Sequence, residues 1–158
     1  MTDTDTDLVA AADRLASAAH EGQVDKAGHP YIDHPRRVAA KVAHLGDDYR
    51  IVALLHDVVE DTPVTLDVLA ATFPGHIVDA VDAITHRAGM SRDDYYAQVA
   101  ANPLAVQVKF ADIADNTDPL RLAALPGTTQ ARLEAKYAHA RTKLRELAVA
   151  GRSMHVPQ

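Results

Sequence analysis

The run His56-Asp57-Val58-Val59-Glu60-Asp61 brings four metal-capable side chains close together inside an apolar stretch. On a continuous helix, at about 100° per residue, Asp57, Glu60 and Asp61 fall at roughly 100°, 40° and 140° from His56, so one face carries all four. Ile51, Val52, Leu54, Leu55, Val58 and Val59 fill the opposite arc, as on a helix packed into a core. An imidazole and a carboxylate adjacent in sequence can reach one divalent ion, and a Glu one turn later can hold or deprotonate a water bound to it. The same residues also describe a partly exposed helix end with solvated carboxylates and a hydrogen-bonded core histidine. The rest of the chain has to decide between them.

With 158 residues, the sequence is long enough for one compact domain and short for two. Hydrophobic residues make up 47% and aromatics 4%, with no Trp, which favours packed helices. Cysteine is absent, so any metal must be held by nitrogen and oxygen donors. No apolar run approaches the roughly 20 residues that span a bilayer, and the expected location is cytoplasmic. The net charge of −6 argues against a nucleic acid partner. Basic residues do gather after position 120, where Arg121, Arg132, Lys136, Arg141, Lys143, Arg145 and Arg152 face only Glu134 and Glu146. A small anionic ligand is therefore compatible with the chain.

The elements that must position these groups read as helices. Residues 1–7 are expected to fray, and Leu8 to His20 follows helical spacing until Gly22. Residues 22–32 read as a loop. Asp33 as N-cap and Pro35 in the first turn predict a helix from His34 to about Leu45, with Val38, Val42 and Leu45 inward. The helix bearing His56 is expected from about Tyr49 to Pro63. Thr65 caps a short helix, His76 to Thr85 forms another, and Ser91 begins a third. Pro103 opens a segment to about Asp115 that is expected to be helical, although Val106 to Phe110 also reads as a strand. Asp112 and Asn116 share a face one turn apart, whereas Asp115, Thr117 and Asp118 read as polar caps before the breaker Pro119. A last helix runs from about Thr129 to Val149, followed by a tail at 151–158.

His34, the adjacent His56-Asp57 and the distant Asp112 form an ordered H…HD…D pattern that resembles the HD-domain metal phosphohydrolases. Three blocks, Gly28 to Pro35, Ala53 to Thr62, and Val108 to Asp112 with Asn116, are similar to those of the alarmone hydrolases. That group includes the hydrolase half of the Rel/Spo enzymes and the small alarmone hydrolases. The resemblance runs from about Ala18 to Leu125. It implies an all-α, single-domain HD helical bundle that removes the 3′-pyrophosphate from guanosine tetra- or pentaphosphate with Mn²⁺. By the same resemblance His34, His56, Asp57 and Asp112 are the metal ligands, Glu60 and Asp61 the catalytic pair, and Asn116 a ribose contact. Glu60, nearest in angle to His56, is expected to orient and deprotonate the attacking water, with Asp61 assisting.

Two departures remove positive charge. The family usually carries an Arg that stacks on guanine where this chain has Asp25, and often an Arg where it has Asp118. These departures admit the adenosine counterparts as substrates. Lys26, Lys109 and the basic last helix are the candidates to compensate, each equally readable as a solvated or structural cation. The expected partner is a small-molecule nucleotide, with the oligomeric state left open. The alternatives are an HD phosphatase acting on another nucleotide, such as a phosphorylated dinucleotide, and a nucleotide sensor without turnover.

Overall fold

The computed structural model describes residues 3–153, with side chains from Leu8 to Ala150. Helix α3 (Asp47–Leu55) sits at the centre because it is apolar on nearly every side: Ile51, Val52, Ala53, Leu54 and Leu55 are all buried. Helix α1 (Asp3–Ala19) packs on it through the small residues Ala12 and Ala16, which let the two backbones approach. Helix α2 (Asp33–Val42) covers another side with Val38, Ala39 and Val42. Each buried Leu, Ile or Val contributes about 1.5–3 kcal/mol.

After α3 come α4 (Val58–Asp61), α5 (Leu66–Ala70), α6 (Gly75–Ile84) and α7 (Arg92–Ala100). Helix α8 (Pro103–Asn116) packs on α2, α3, α6 and α7, and α9 (Pro119–Ala123) follows. The long α10 (Gly127–Ser153) lies across α7 and α8. Several starts carry the expected chemistry. The side chains of Thr65, Ser91, Asn102 and Asp118 accept backbone N–H bonds from the first turns of α5, α7, α8 and α9, and Pro103 and Pro119 occupy first helical positions. No strand occurs among the described residues, so the Val106–Phe110 ambiguity resolves as helix. No helix there is long and apolar enough to cross a membrane.

The boundaries differ from expectation in informative places. Residues 3–7 already belong to α1 and residues 1–2 lie outside the described residues, as do 154–158, while 151–153 continue α10. Asp33 is the first residue of α2 and makes no capping bond; its charge instead favours the positive end of the helix. A 3-10 turn, Ala43–Leu45, ends this segment and leaves Leu45 exposed. Pro119 starts a helix where a break was expected, because Asp118 caps its two following amides.

The largest difference is at His56-Asp57, where the helix is interrupted. The His56 imidazole Nδ1–H donates to the carbonyl of Ala53 at 2.6 Å, and the His56 amide also points there at 3.4 Å. A continuing helix would offer that carbonyl to the amide of Asp57. Asp57 instead adopts φ −105°, ψ 0°, and α4 restarts with the Asp61 amide on the Asp57 carbonyl.

Candidate active site

Four elements meet at the break. The loop before α2 is closed by Asp25, whose Oδ1 accepts the amides of Ala27 and His29, each at 2.9 Å. Gly28 completes this turn at φ +87°, a conformation that other residues rarely adopt. The turn delivers Tyr31 and, at the start of α2, His34. The α3–α4 break delivers His56 and Asp57, α4 delivers Glu60 and Asp61, and the end of α8 delivers Asp112, Asp115 and Asn116.

The two imidazoles are oriented from behind. Nδ1 of His34 donates to Asp115 Oδ2 at 2.7 Å, and Nδ1 of His56 donates to Ala53 O, so both Nε2 atoms face inward. His34 Nε2 lies 2.8 Å from Asp112 Oδ1 and 3.8 Å from Asp57 Oδ2. His56 Nε2 lies 3.1 Å from Asp57 Oδ2 and 3.4 Å from Asp112 Oδ1, and it is a buried nitrogen without a hydrogen-bond partner among the described residues. Donor atoms of His34, His56 and Asp57 all lie within 4.8 Å of one another. Two inward lone pairs facing two carboxylates are a donor set that fits one divalent cation.

The electrostatics agree. Burial raises the carboxyl of Asp112, but Lys109 and the two imidazoles outweigh it and hold the group well below the usual range. Burial likewise opposes charge on His56, yet Asp57 and Asp112 hold it well above the ordinary imidazole value. The cluster therefore demands positive charge, which either protons or a cation can supply. Asp112 is braced further by Lys109 Nζ at 3.0 Å and Asn116 Nδ2 at 3.1 Å. Tyr31 donates its hydroxyl to Asp57 Oδ2 at 2.6 Å; burial and that carboxylate push the phenol up, so it stays a donor.

His34, Asp57 and Asp112 line a cavity of about 330 Å³ together with the exposed Glu60 and Asp61 and with Arg92, Lys109 and Lys136, while His56 is buried and does not reach it. Glu60 Oε1 accepts the His86 amide at 2.8 Å. Burial, with Asp57 and Glu60 beside it, pushes Asp61 up to about 6. A second cavity of about 370 Å³ adjoins the first; His34, Tyr31, Asn116 and Tyr137 line both. Lys26 lines only the second, away from the metal-capable cluster.

The structure thus brings together His34, His56, Asp57 and Asp112 with Lys109 and Asn116, sets Glu60 and Asp61 beside them, and leaves Lys26 apart. Lys109 is tied to Asp112, which gives it a structural partner before any ligand. Asp115, Tyr31, Arg37, His86 and Arg92 were missed. Asp115 is no terminal cap: it is buried, holds His34, and takes Arg37 Nε on its other oxygen at 2.9 Å. Its i, i+3 relation to Asp112 on a helix that buries that face was the available signal. Tyr31 and Arg37 carried none beyond nearness to His34.

A sequence model of the HD domain family matches residues 12–109, a span that holds His34, His56, Asp57, Glu60 and Asp61 and stops just before Asp112. The chain belongs to the HD domain family. Among curated relatives, a guanosine-3′,5′-bis(diphosphate) 3′-pyrophosphohydrolase of Haemophilus influenzae is 34% identical over 117 residues, covering 68% of this chain. A probable GTP pyrophosphokinase of Mycobacterium leprae is 35% identical over 136 residues, covering 79%. The chain spans 17% of the length of each relative. A solved structure described as a metazoan ortholog of SpoT that hydrolyses ppGpp superposes with a TM-score of 0.74 at 23% identity, covering 89% of this chain and 85% of that one. The HD fold is shared with it.

Proposed function

We propose that this HD domain is a metal-dependent 3′-pyrophosphohydrolase of guanosine or adenosine tetra- and pentaphosphates, with Mn²⁺ as its ion. The observation that carries the reading is the pair of inward imidazole Nε2 atoms facing Asp57 and Asp112, with Asp57, Asp112 and His34 opening onto a cavity whose lining also holds Arg92, Lys109, Lys136, Glu60 and Asp61. The names of the relatives, one a hydrolase and one a kinase, divide between two activities. Hydrolysis is the reading supported by the carboxylates of Glu60 and Asp61 beside the metal-capable cluster, a pair suited to activating water.

His34, His56, Asp57 and Asp112 would hold the ion, which when bound supplies Lewis acidity and lowers the pKa of water. Glu60, steadied on one oxygen by the His86 amide, orients the attacking water and takes its proton. Asp61, beside Asp57 and Glu60 in the same lining, is placed to relay that proton onward. Arg92, Lys109 and Lys136 offset the charge of the pyrophosphate. Asn116, on the boundary between the cavities, meets the ribose, while Lys26 lies along the second cavity with the outer part of the nucleotide.

The test is product identification by ion-exchange chromatography. Mn²⁺-loaded protein is incubated with the guanosine and adenosine tetraphosphates and with a 2′-phosphorylated dinucleotide. Pyrophosphate release from a tetraphosphate is expected. Orthophosphate from the dinucleotide alone would make the protein a phosphomonoesterase, and no turnover of any would overturn the enzyme reading.

A further inference from the structure

The second cavity has a wall unlike the first. Its lining is mostly apolar, and at its edge Leu120 and Val24 remain 86% and 63% exposed. Two large apolar side chains exposed on one cavity suit a flat apolar ligand better than water. Arg121, carried on the short helix α9, lines the same cavity.

The guanidinium of Arg121 is anchored by charge and not saturated by hydrogen bonds. Its Nη1 is 3.7 Å from Asp25 Oδ2 and its Nε 3.8 Å from Asp115 Oδ2, both beyond hydrogen-bond length. Nε is buried without a hydrogen-bond partner among the described residues. Asp25 has its other oxygen committed to the amides of Ala27 and His29, and Asp115 to His34 and Arg37, so neither carboxylate can swing over to close on Arg121 without losing those bonds. The cap by Asp118 and Pro119 at the first position of α9 fix the backbone from which Arg121 projects. A planar cation, held between two carboxylates beside apolar neighbours, is built to lie flat against an aromatic ring.

We propose that Arg121 is a specificity residue: its guanidinium packs face-on against the purine ring of the nucleotide in the second cavity. This rests on the reading of the substrate as a nucleotide, since Tyr31, His34, Asn116 and Tyr137 line both cavities and let one ligand place its ring in the second and its phosphates in the first. Asp25 and Asp115 are its anchors. Arg37 already orients Asp115, so the hold on His34 does not depend on Arg121.

The experiment is calorimetric titration of the Mn²⁺-loaded protein with GDP, ADP and ribose 5-phosphate, for the unaltered chain, Arg121→Gln and Arg121→Lys. Both variants should weaken GDP and ADP by about tenfold or more, because lysine keeps the charge but not the plane, while ribose 5-phosphate changes by less than about twofold. A second readout needs no variant: in the Mg²⁺-loaded protein the Arg121 Nε–H resonance should shift with GDP or ADP and not with ribose 5-phosphate. Equal nucleotide affinity in Arg121→Lys and the unaltered chain, or an Nε–H resonance indifferent to the purine, would overturn the proposal. Hydrolysis is not measured, so purine binding that depends on Arg121 in a protein that releases no pyrophosphate would uphold this inference while the activity reading fails.

Discussion

Asp115 Oδ2 lies 2.7 Å from His34 Nδ1, and Asp115 Oδ1 accepts from Arg37 Nε at 2.9 Å, so a carboxylate outside the metal-capable cluster fixes one of its imidazoles. A partner of this kind sets the tautomer, turns Nε2 inward and makes it a better donor to a cation. Asp115→Asn keeps an acceptor but loses the charge, and should weaken Mn²⁺ binding by about tenfold. Asp115→Ala also strips Arg37 of its buried partner, and should weaken it by roughly 10–100-fold with a lower melting temperature. Calorimetric titration with Mn²⁺ measures both; unchanged affinity in Asp115→Ala would remove Asp115 from the site.

Asp25 organises the turn that leads to Tyr31 and His34. Burial works against its charge, but the His29 and Ala27 amides, with Arg121 beyond them, outweigh this and hold the carboxyl below its usual value. The stabilisation is therefore present above the unfolded value of about 3.9 and is lost as pH falls through the lower folded value. The amide resonances of Ala27 and His29 should titrate with a midpoint below about 3.9, and Asp25→Ala should abolish that titration and cost roughly 1–2 kcal/mol. A midpoint at or above the ordinary value would mean that the two amide bonds do not persist in solution.

Much of the site was legible because residue types with few roles recur in order: His34, His56-Asp57 and Asp112 are brought together as their pattern implied. The helical stripes were legible too, since Ile77, Val81 and Ile84, or Ala140 and Leu144, are buried at the spacing that helical geometry requires. The wheel drawn through His56 to Asp61 assumed one continuous helix, and a side chain competing for the Ala53 carbonyl breaks it. Periodicity cannot register such competition. Asp115 failed for a related reason: near a proline and a helix end, an acidic residue reads as a cap, and only the approach of α2 to α8 gives it His34. Arg121 is set by a charge arrangement spanning the distant positions 25 and 115, which local spacing cannot reveal.

The division of labour between Asp57 and Glu60 separates binding from chemistry. Asp57 Oδ2 stands 3.1 Å from His56 Nε2, whereas Glu60 stands exposed in the cavity lining on the His86 amide. Asp57→Ala should abolish Mn²⁺ binding and turnover together. Glu60→Gln keeps the shape and loses the base, so it should retain Mn²⁺ within a few-fold and lower kcat by about 10²–10⁴. Side-by-side metal titration and single-turnover rates decide; a Glu60→Gln protein hydrolysing at the unaltered rate would pass the role of base to another group, with Asp61 next in line.

Metal binding should also show in stability, with no substrate present. The unfolded chain cannot assemble residues from α2, the α3–α4 break and α8, so an ion held by His34, His56, Asp57 and Asp112 binds the folded state selectively. At a free concentration about 100 times Kd this adds about 2.7 kcal/mol, equivalent to a rise in Tm of roughly 5–10 °C for a chain of this size. Adding Mn²⁺ to chelator-treated protein should produce that rise, and excess chelator should reverse it. His56→Ala removes the unpartnered buried Nε2 and should leave Tm flat across the same titration, from a starting value lowered by the lost Ala53 contact. A full Mn²⁺-dependent rise in His56→Ala would locate the stabilising ion elsewhere, since the inward nitrogen at position 56 would then have no part in holding it.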